Sequence, residues 1–240
     1  MSRRKDTGAI IGTAKEQYKS IRKDYDRALK EHSLDLRIPV KNLMENLRSA
    51  LDYMAHDIYD TCCKPARTAA GRPDPLNIYF PYGRTDPDFR SGVGSHLPDL
   101  ENQNPTVYDL VESIQPFRCN DPWLYDLCSI LNENKHVKLT AQVRSETEKY
   151  SVESECGKVS ILVNNPNVRV TSMPGAAKIF GVPAQFTPEG IKTAPSNRLT
   201  HKREKWVAFK FEGSNVNVIG MLNKAVSAIS DFAERLYSLI

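Results

Sequence analysis

Pro39 to Asp60 reads PVKNLMENLRSALDYMAHDIYD, and within it Val40, Leu43, Met44, Leu47, Leu51, Met54, Ala55 and Ile58 recur at three- and four-residue steps. That spacing gathers them on one broad face of a helix. Pro39 fits its first turn, where a missing N–H leaves nothing unbonded. Each Leu or Ile gains about 1.5–3 kcal/mol on burial, so a stripe this long must pack against other helices.

Working outward, residues 1–12 read as a mobile start, and Thr13 and Glu16 as a capping box opening a helix. Ala14, Tyr18, Ile21, Tyr25, Ala28 and Leu29 give that helix its apolar face until the pattern fades near His32. From 64 to 105 the composition turns to Pro, Gly and Asp, predicting a long, partly ordered crossover with a short extended run, Asn77 to Phe80, ending at Pro81. A Thr106 cap precedes Val107, Leu110, Val111 and Ile114, and Pro122 opens a helix carrying Leu124, Leu127, Cys128 and Leu131. Short β-rich runs follow at Leu139–Val143, Val159–Val163, Val168–Val170 and Trp206–Phe211. A last helix from about Ile219 to Leu239 needs an apolar partner, and the earlier helices offer the largest. The expected architecture is α+β: one domain over 1–240, with an antiparallel helical bundle over 13–136, a small antiparallel β-sheet insertion over 137–214, and a helix over 215–240 completing the bundle.

The chain has 240 residues, 40% hydrophobic and 26% charged, the balance of a globular protein rather than a disordered or collagen-like one. No apolar run is long enough to span a membrane and no signal core follows Met1, so a soluble cytoplasmic protein is expected. Five cysteines without a C-x-x-C pair, and five scattered histidines, predict a reduced compartment and no structural metal. The net charge of +4 is unevenly spread: residues 1–37 hold ten Lys/Arg against six Asp/Glu, 74–126 hold three against nine, and 185–210 hold six against two. Glycine-rich phosphate loops, the G-x-S-x-G elbow and H-E-x-x-H are all absent, which excludes classical nucleotide hydrolysis, α/β-hydrolase and zincin chemistry.

The densest polar cluster lies on the Pro39–Asp60 helix: Asn46, Arg48, Asp52, Tyr53 and His56. Arg48 and Asp52, four apart, can pair on one face, whereas Arg48 and His56 are separated by about 12 Å of rise and roughly 80° of rotation. One helix alone therefore cannot bring that guanidinium and imidazole onto one phosphate. Together with Phe80-Pro81, Ile114-Gln115-Pro116-Phe117 and Leu131-Asn132-Glu133-Asn134-Lys135-His136, the Asn46–Tyr53 string resembles a group of uncharacterised prokaryotic proteins. In these, a helix carries Asn-Leu-Arg-Ser-Ala-Leu-Asp-His and a later one ends in Asn-x-Asp-Lys-His. The first string is similar to the Arg-x(4–6)-His pattern of the HEPN superfamily of helical bundles. Here Tyr53 stands where the pattern has histidine, and His56 follows three residues later.

The resemblance implies a HEPN-like bundle acting as a homodimer, binding RNA and cleaving it without metal or cofactor to leave a 2′,3′-cyclic phosphate. It also implies a role in toxin–antitoxin or phage-defence systems, with an antitoxin or other protein partner. Such chemistry needs a cation on the scissile phosphate and a base near neutral pKa. Arg48 suits the first role and His56 the second, with Tyr53 orienting RNA, and a two-fold dimer would bring the groups together. Asn46, Asp52, Asn134, Lys135, His136, Lys202 and Arg203 complete the expected RNA contacts. The rival reading is a non-catalytic interaction module in which Arg48 and Asp52 serve a dimer or partner interface.

Overall fold

The computed structural model describes residues 2–31, 35–136, 142–163, 172 and 177–240, with the backbone alone at 28–31, 133–136, 144–147 and 205–207. The order is α1 (Arg4–Glu31), α2 (Arg37–Ile58), a π-helical turn (Tyr59–Cys63), α3 (Lys64–Ala69), α4 (Asp86–His96), α5 (Leu100–Gln103), α6 (Pro105–Ser113), α7 (Pro116–Cys119), α8 (Trp123–His136), β1 (Gln142–Ser154), β2 (Gly157–Val163), β3 (Ala177–Ile179), β4 (Val182–Thr187), β5 (Gly190–Thr193), β6 (Thr200–Phe211) and α9 (Val218–Leu236). These fall into two compact units, Met1–Gln142 with Lys210–Ile240, and Val143–Phe209.

In the helical unit α2 is the central element. Its stripe is buried along its whole length, from Val40 to Ile58, and it packs on α1, α8 and α9. The last helix also packs against α1; it is capped by Asn217, whose side chain accepts from the Gly220 amide at 2.7 Å.

The first helix begins at Arg4, not at Thr13. Its start is tied by Ser2, whose hydroxyl accepts the Arg4 amide at 3.2 Å, and by a distant side chain: the buried Asp57 carboxylate accepts the Arg3 amide at 2.9 and 3.0 Å and the Arg3 guanidinium at 3.1 Å. Thr13 and Glu16 lie exposed in mid-helix, and Glu16 pairs with Lys19. The crossover expected over 64–105 contains three helices, α3 to α5. The middle one has its own capping box at Thr85 and Asp88. Gly83 precedes it because a Cβ there would lie 2.4 Å from the Phe89 nitrogen. The cap of α6 is Asn104 rather than Thr106, with Pro105 as first helical residue.

The second unit holds two three-stranded sheets, β2–β1–β6 and β3–β4–β5, with antiparallel β1–β2, β3–β4 and β4–β5 pairs. Val152, Ile179, Ala184, Ile191 and Leu199 form their shared core, flanked by Tyr150, Val159, Ile161, Val182 and Phe186. The run from Val159 lies in β2 and the Trp206 run ends β6; Val168–Val170 and residues 139–141 fall outside the described residues. Thr200 to Lys205, the basic segment before Trp206, is the first half of β6. Val143–Phe209 has ten Lys/Arg against six Asp/Glu, while the helical unit is balanced at 23 of each.

Among the described residues no helix is long and apolar enough to cross a membrane.

Candidate functional site

One helical turn places Arg48 and Asp52 on the same edge of α2, and both reach the segment from Asn77 to Gly83. The Asp52 carboxylate accepts the Phe80 amide at 2.9 Å and Arg48 Nε at 3.2 Å, and the Arg48 guanidinium donates to the Phe80 carbonyl at 3.4 Å. Both backbone groups of Phe80 are thus satisfied by one i,i+4 pair, as a neighbouring strand would satisfy them. Gln115, fully buried, continues the clamp by donating to the Pro81 carbonyl at 3.2 Å and accepting the Gly83 amide at 3.1 Å. From α8, Asn132 donates to the Tyr82 hydroxyl at 2.9 Å, and from α4, His96 Nδ1 meets the Asn77 carbonyl at 3.1 Å.

Between this strap and the helices lies a cavity of about 390 Å³ lined by Arg48, Asp52, Tyr79, Phe80, Tyr82, His96 and Asn132, among others. Its size suits a small ligand. Most of the Arg48 N–H groups are already used: besides Asp52 and Phe80, one points at Cys128 Sγ at 3.0 Å, and the guanidinium lies over the Tyr82 ring at 5.2 Å. Burial pulls the Arg48 pKa down, but Cys128 and Asp52 together outweigh it and raise it above the ordinary value. Burial also pushes the Tyr82 hydroxyl upward, against the pull of Arg48 and Asn132, so it stays protonated at neutral pH.

The groups left open are of another kind. A carbonyl oxygen only accepts, so His96 carries its proton on Nδ1 when neutral and keeps Nε2 as an acceptor. Tyr79 stands edge-on to this imidazole with ring centroids 5.5 Å apart, and is about half exposed. The Asn132 carboxamide donates from its nitrogen to Tyr82, and among the described residues its oxygen has no hydrogen-bond partner. Aromatic faces and unspent acceptors therefore surround a cation that is already neutralised.

Of the residues of this unit singled out from sequence whose side chains are described, Arg48 and Asp52 line this cavity, whereas Asn46, Tyr53 and His56 are not among its lining residues. Asn46 turns to α1 and donates to Gln17 at 2.8 Å; Tyr53 is exposed to solvent. His56 lines a neighbouring cavity of about 420 Å³ with Arg3, Tyr59, Asp60, Lys64 and Asp74, which shares Tyr79 with the Arg48 cavity. The side chains of Asn134, Lys135 and His136 lie outside the described residues, although Asn132 on the same helix does reach the cleft. In the second unit Lys202 pairs with Glu204 at 2.8 Å and Arg203 with Glu148 at 3.0 Å.

His96, Tyr79 and Tyr82 carried no motif of their own; the nearest signal was Phe80-Pro81 beside them. Among the described residues no group of three or more His, Cys, Asp or Glu side chains is placed to hold a metal ion. No protein-family model, curated protein or solved structure matches this chain.

Proposed function

We propose that the helical unit is a HEPN-like RNA-binding module whose cleft receives an unpaired base, with the Arg48–Asp52 pair building the cleft rather than gripping the scissile phosphate. The observation that carries this reading is the division of labour in the cavity. The Arg48 fork is consumed by Asp52, Phe80 and Cys128, while Tyr79 offers a ring face and His96 Nε2 and Asn132 Oδ1 offer acceptors. An unstacked adenine, cytosine or guanine presents a π-face and an exocyclic amino donor, the complement of that set. Independently of the cleft, the exposed Lys202 and Arg203 of the second unit offer sequence-independent phosphate contacts by exchanging their carboxylate partners Glu204 and Glu148 for phosphate.

Fluorescence anisotropy with a labelled single-stranded RNA tests this. Tyr79→Ala is expected to lose about 1–3 kcal/mol, roughly fivefold to 150-fold in Kd. Asn132→Ala should weaken binding in a base-dependent way, and Lys202→Ala with Arg203→Ala should weaken all sequences alike and flatten the salt dependence. Wild-type protein without RNA affinity, or affinity indifferent to every cleft variant, refutes the proposal.

A catalytic reading is favoured by one observation: an imidazole with a fixed tautomer, His96, borders the same cavity as Arg48. Under it His96, not His56 or Tyr53, takes the 2′-hydroxyl proton. Incubation with RNA in EDTA separates the two readings. Cleavage that yields 2′,3′-cyclic ends and disappears in His96→Ala establishes the enzyme, and intact RNA beside retained binding establishes the module.

A further inference from the structure

An imidazole bonded through one nitrogen keeps a second whose role depends on pH, and His96 places such a ring on the wall of the Arg48 cavity. Its Nδ1 meets the Asn77 carbonyl at 3.1 Å. A carbonyl accepts from the neutral and the charged ring alike, so this bond, and the strap it holds, survive protonation. Only Nε2 changes: it is an acceptor in the neutral ring and an N–H donor in the imidazolium.

The groups that share the cavity do not compete for this role. From α2 come Arg48 and Asp52, which pair at 3.1 Å and cancel. The strap contributes the phenols of Tyr79 and Tyr82, and α8 the uncharged Asn132. Within α4 itself Arg90 pairs with Asp86 at 3.0 Å, and Asp99, just beyond the helix end, pairs with Arg67 at 3.1 Å and Arg72 at 3.0 Å.

We propose that His96 sets the base preference of this cleft and that its protonation reverses that preference. With the ring neutral, Nε2 accepts the exocyclic amino group of cytosine; with the ring charged, Nε2–H donates to a uracil carbonyl. These two bases make the sharpest comparison, because their rings match in size and an amino donor in one is a carbonyl acceptor in the other. Uracil's single ring N–H lies between two carbonyl oxygens, which the lone pairs of a neutral Nε2 and of Asn132 Oδ1 repel. The inference rests on the base-binding reading above and adds what the site selects and what controls the selection.

Competition of cytidylate and uridylate hexamers against a labelled single-stranded RNA, at pH 7.5 and pH 5.0, tests it on the full chain. At pH 7.5 the cytidylate should bind about tenfold more tightly, the worth of one hydrogen bond. At pH 5.0 that ratio should fall to one or below. His96→Phe keeps a ring on the cavity wall without its nitrogens, and should bind both hexamers alike at either pH. A histidine that merely braced the strap would weaken both hexamers equally in that variant and leave their ratio as in the wild type. Equal binding of the two at pH 7.5, a ratio that does not fall by pH 5.0, or a preference that His96→Phe retains overturns the proposal while the base-binding reading stands. Failure of both hexamers to bind the wild type overturns the two together.

Discussion

Arg48 and Asp52 show how one pair of side chains can serve as a backbone partner. With side chains 14% and 22% exposed, they sit at a depth where an unmatched charge is expensive. Asp52→Ala removes the acceptor of the Phe80 amide and leaves the Arg48 fork short of a counter-charge. The expected loss is about 3 kcal/mol, read from the urea midpoint. Asp52→Asn keeps an oxygen for Phe80 and should lose about half as much; equal losses for the two variants would show that the carboxylate charge, not the Phe80 bond, dominates. The residue spacing on α2 made this pair visible in the sequence, because i,i+4 neighbours are fixed by helix geometry. His96 was not visible, because its place beside Arg48 depends on where α4 lands after a non-helical stretch.

At the scale of elements, the strap from Asn77 to Gly83 is held in place by side chains rather than by a sheet. Gln115 is its most committed anchor, also donating to the Val111 carbonyl at 3.1 Å. Gln115→Ala strands buried backbone groups at Pro81 and Gly83, and should cost about 2–3 kcal/mol. Amide hydrogen exchange should accelerate at Gly83, and less so at Phe80, which Asp52 still holds; unchanged protection at Gly83 would contradict the clamp. The helices with long apolar stripes, α2, α8 and α9, were legible from their own residues. The start of α1 was not, since it is tied by Asp57 on another helix. Nor were α3 and α5 in the crossover, whose six and four residues are too short for periodicity to register. The strands β3 to β5 escaped for a related reason: they are three to six residues long, β4 contains Pro183, and the turn joining β3 to β4 places Phe180 at φ 49° before Gly181.

For the molecule as a whole, stability should fail on the alkaline side. Burial pushes Cys63 up to about 12; burial and the bond to Asp74 do the same for Tyr59; burial, opposed by Thr7 and reinforced by Asp57, does so for Tyr237. In the unfolded chain these groups release protons nearer 9 and 10. The native state therefore holds protons that the unfolded state has lost, and stability that is complete below pH 9 drains away as pH rises to 12. Tyr237→Phe should remove about 1.3 kcal/mol of that pH dependence, measured by urea unfolding between pH 9 and 11. An unchanged slope would mean Tyr237 titrates freely. The Asp57 node has one more consequence. Arg3 and Tyr237 both bond to that single carboxylate, at 2.9 Å from the Arg3 amide and 2.9 Å from the Tyr237 hydroxyl, so the two extremities of the described chain meet in space. A circular permutant that joins them through a brief linker, reopened at the exposed Glu212-Gly213-Ser214 turn, would keep every helix contact while reversing the order in which α9 and α1 leave the ribosome.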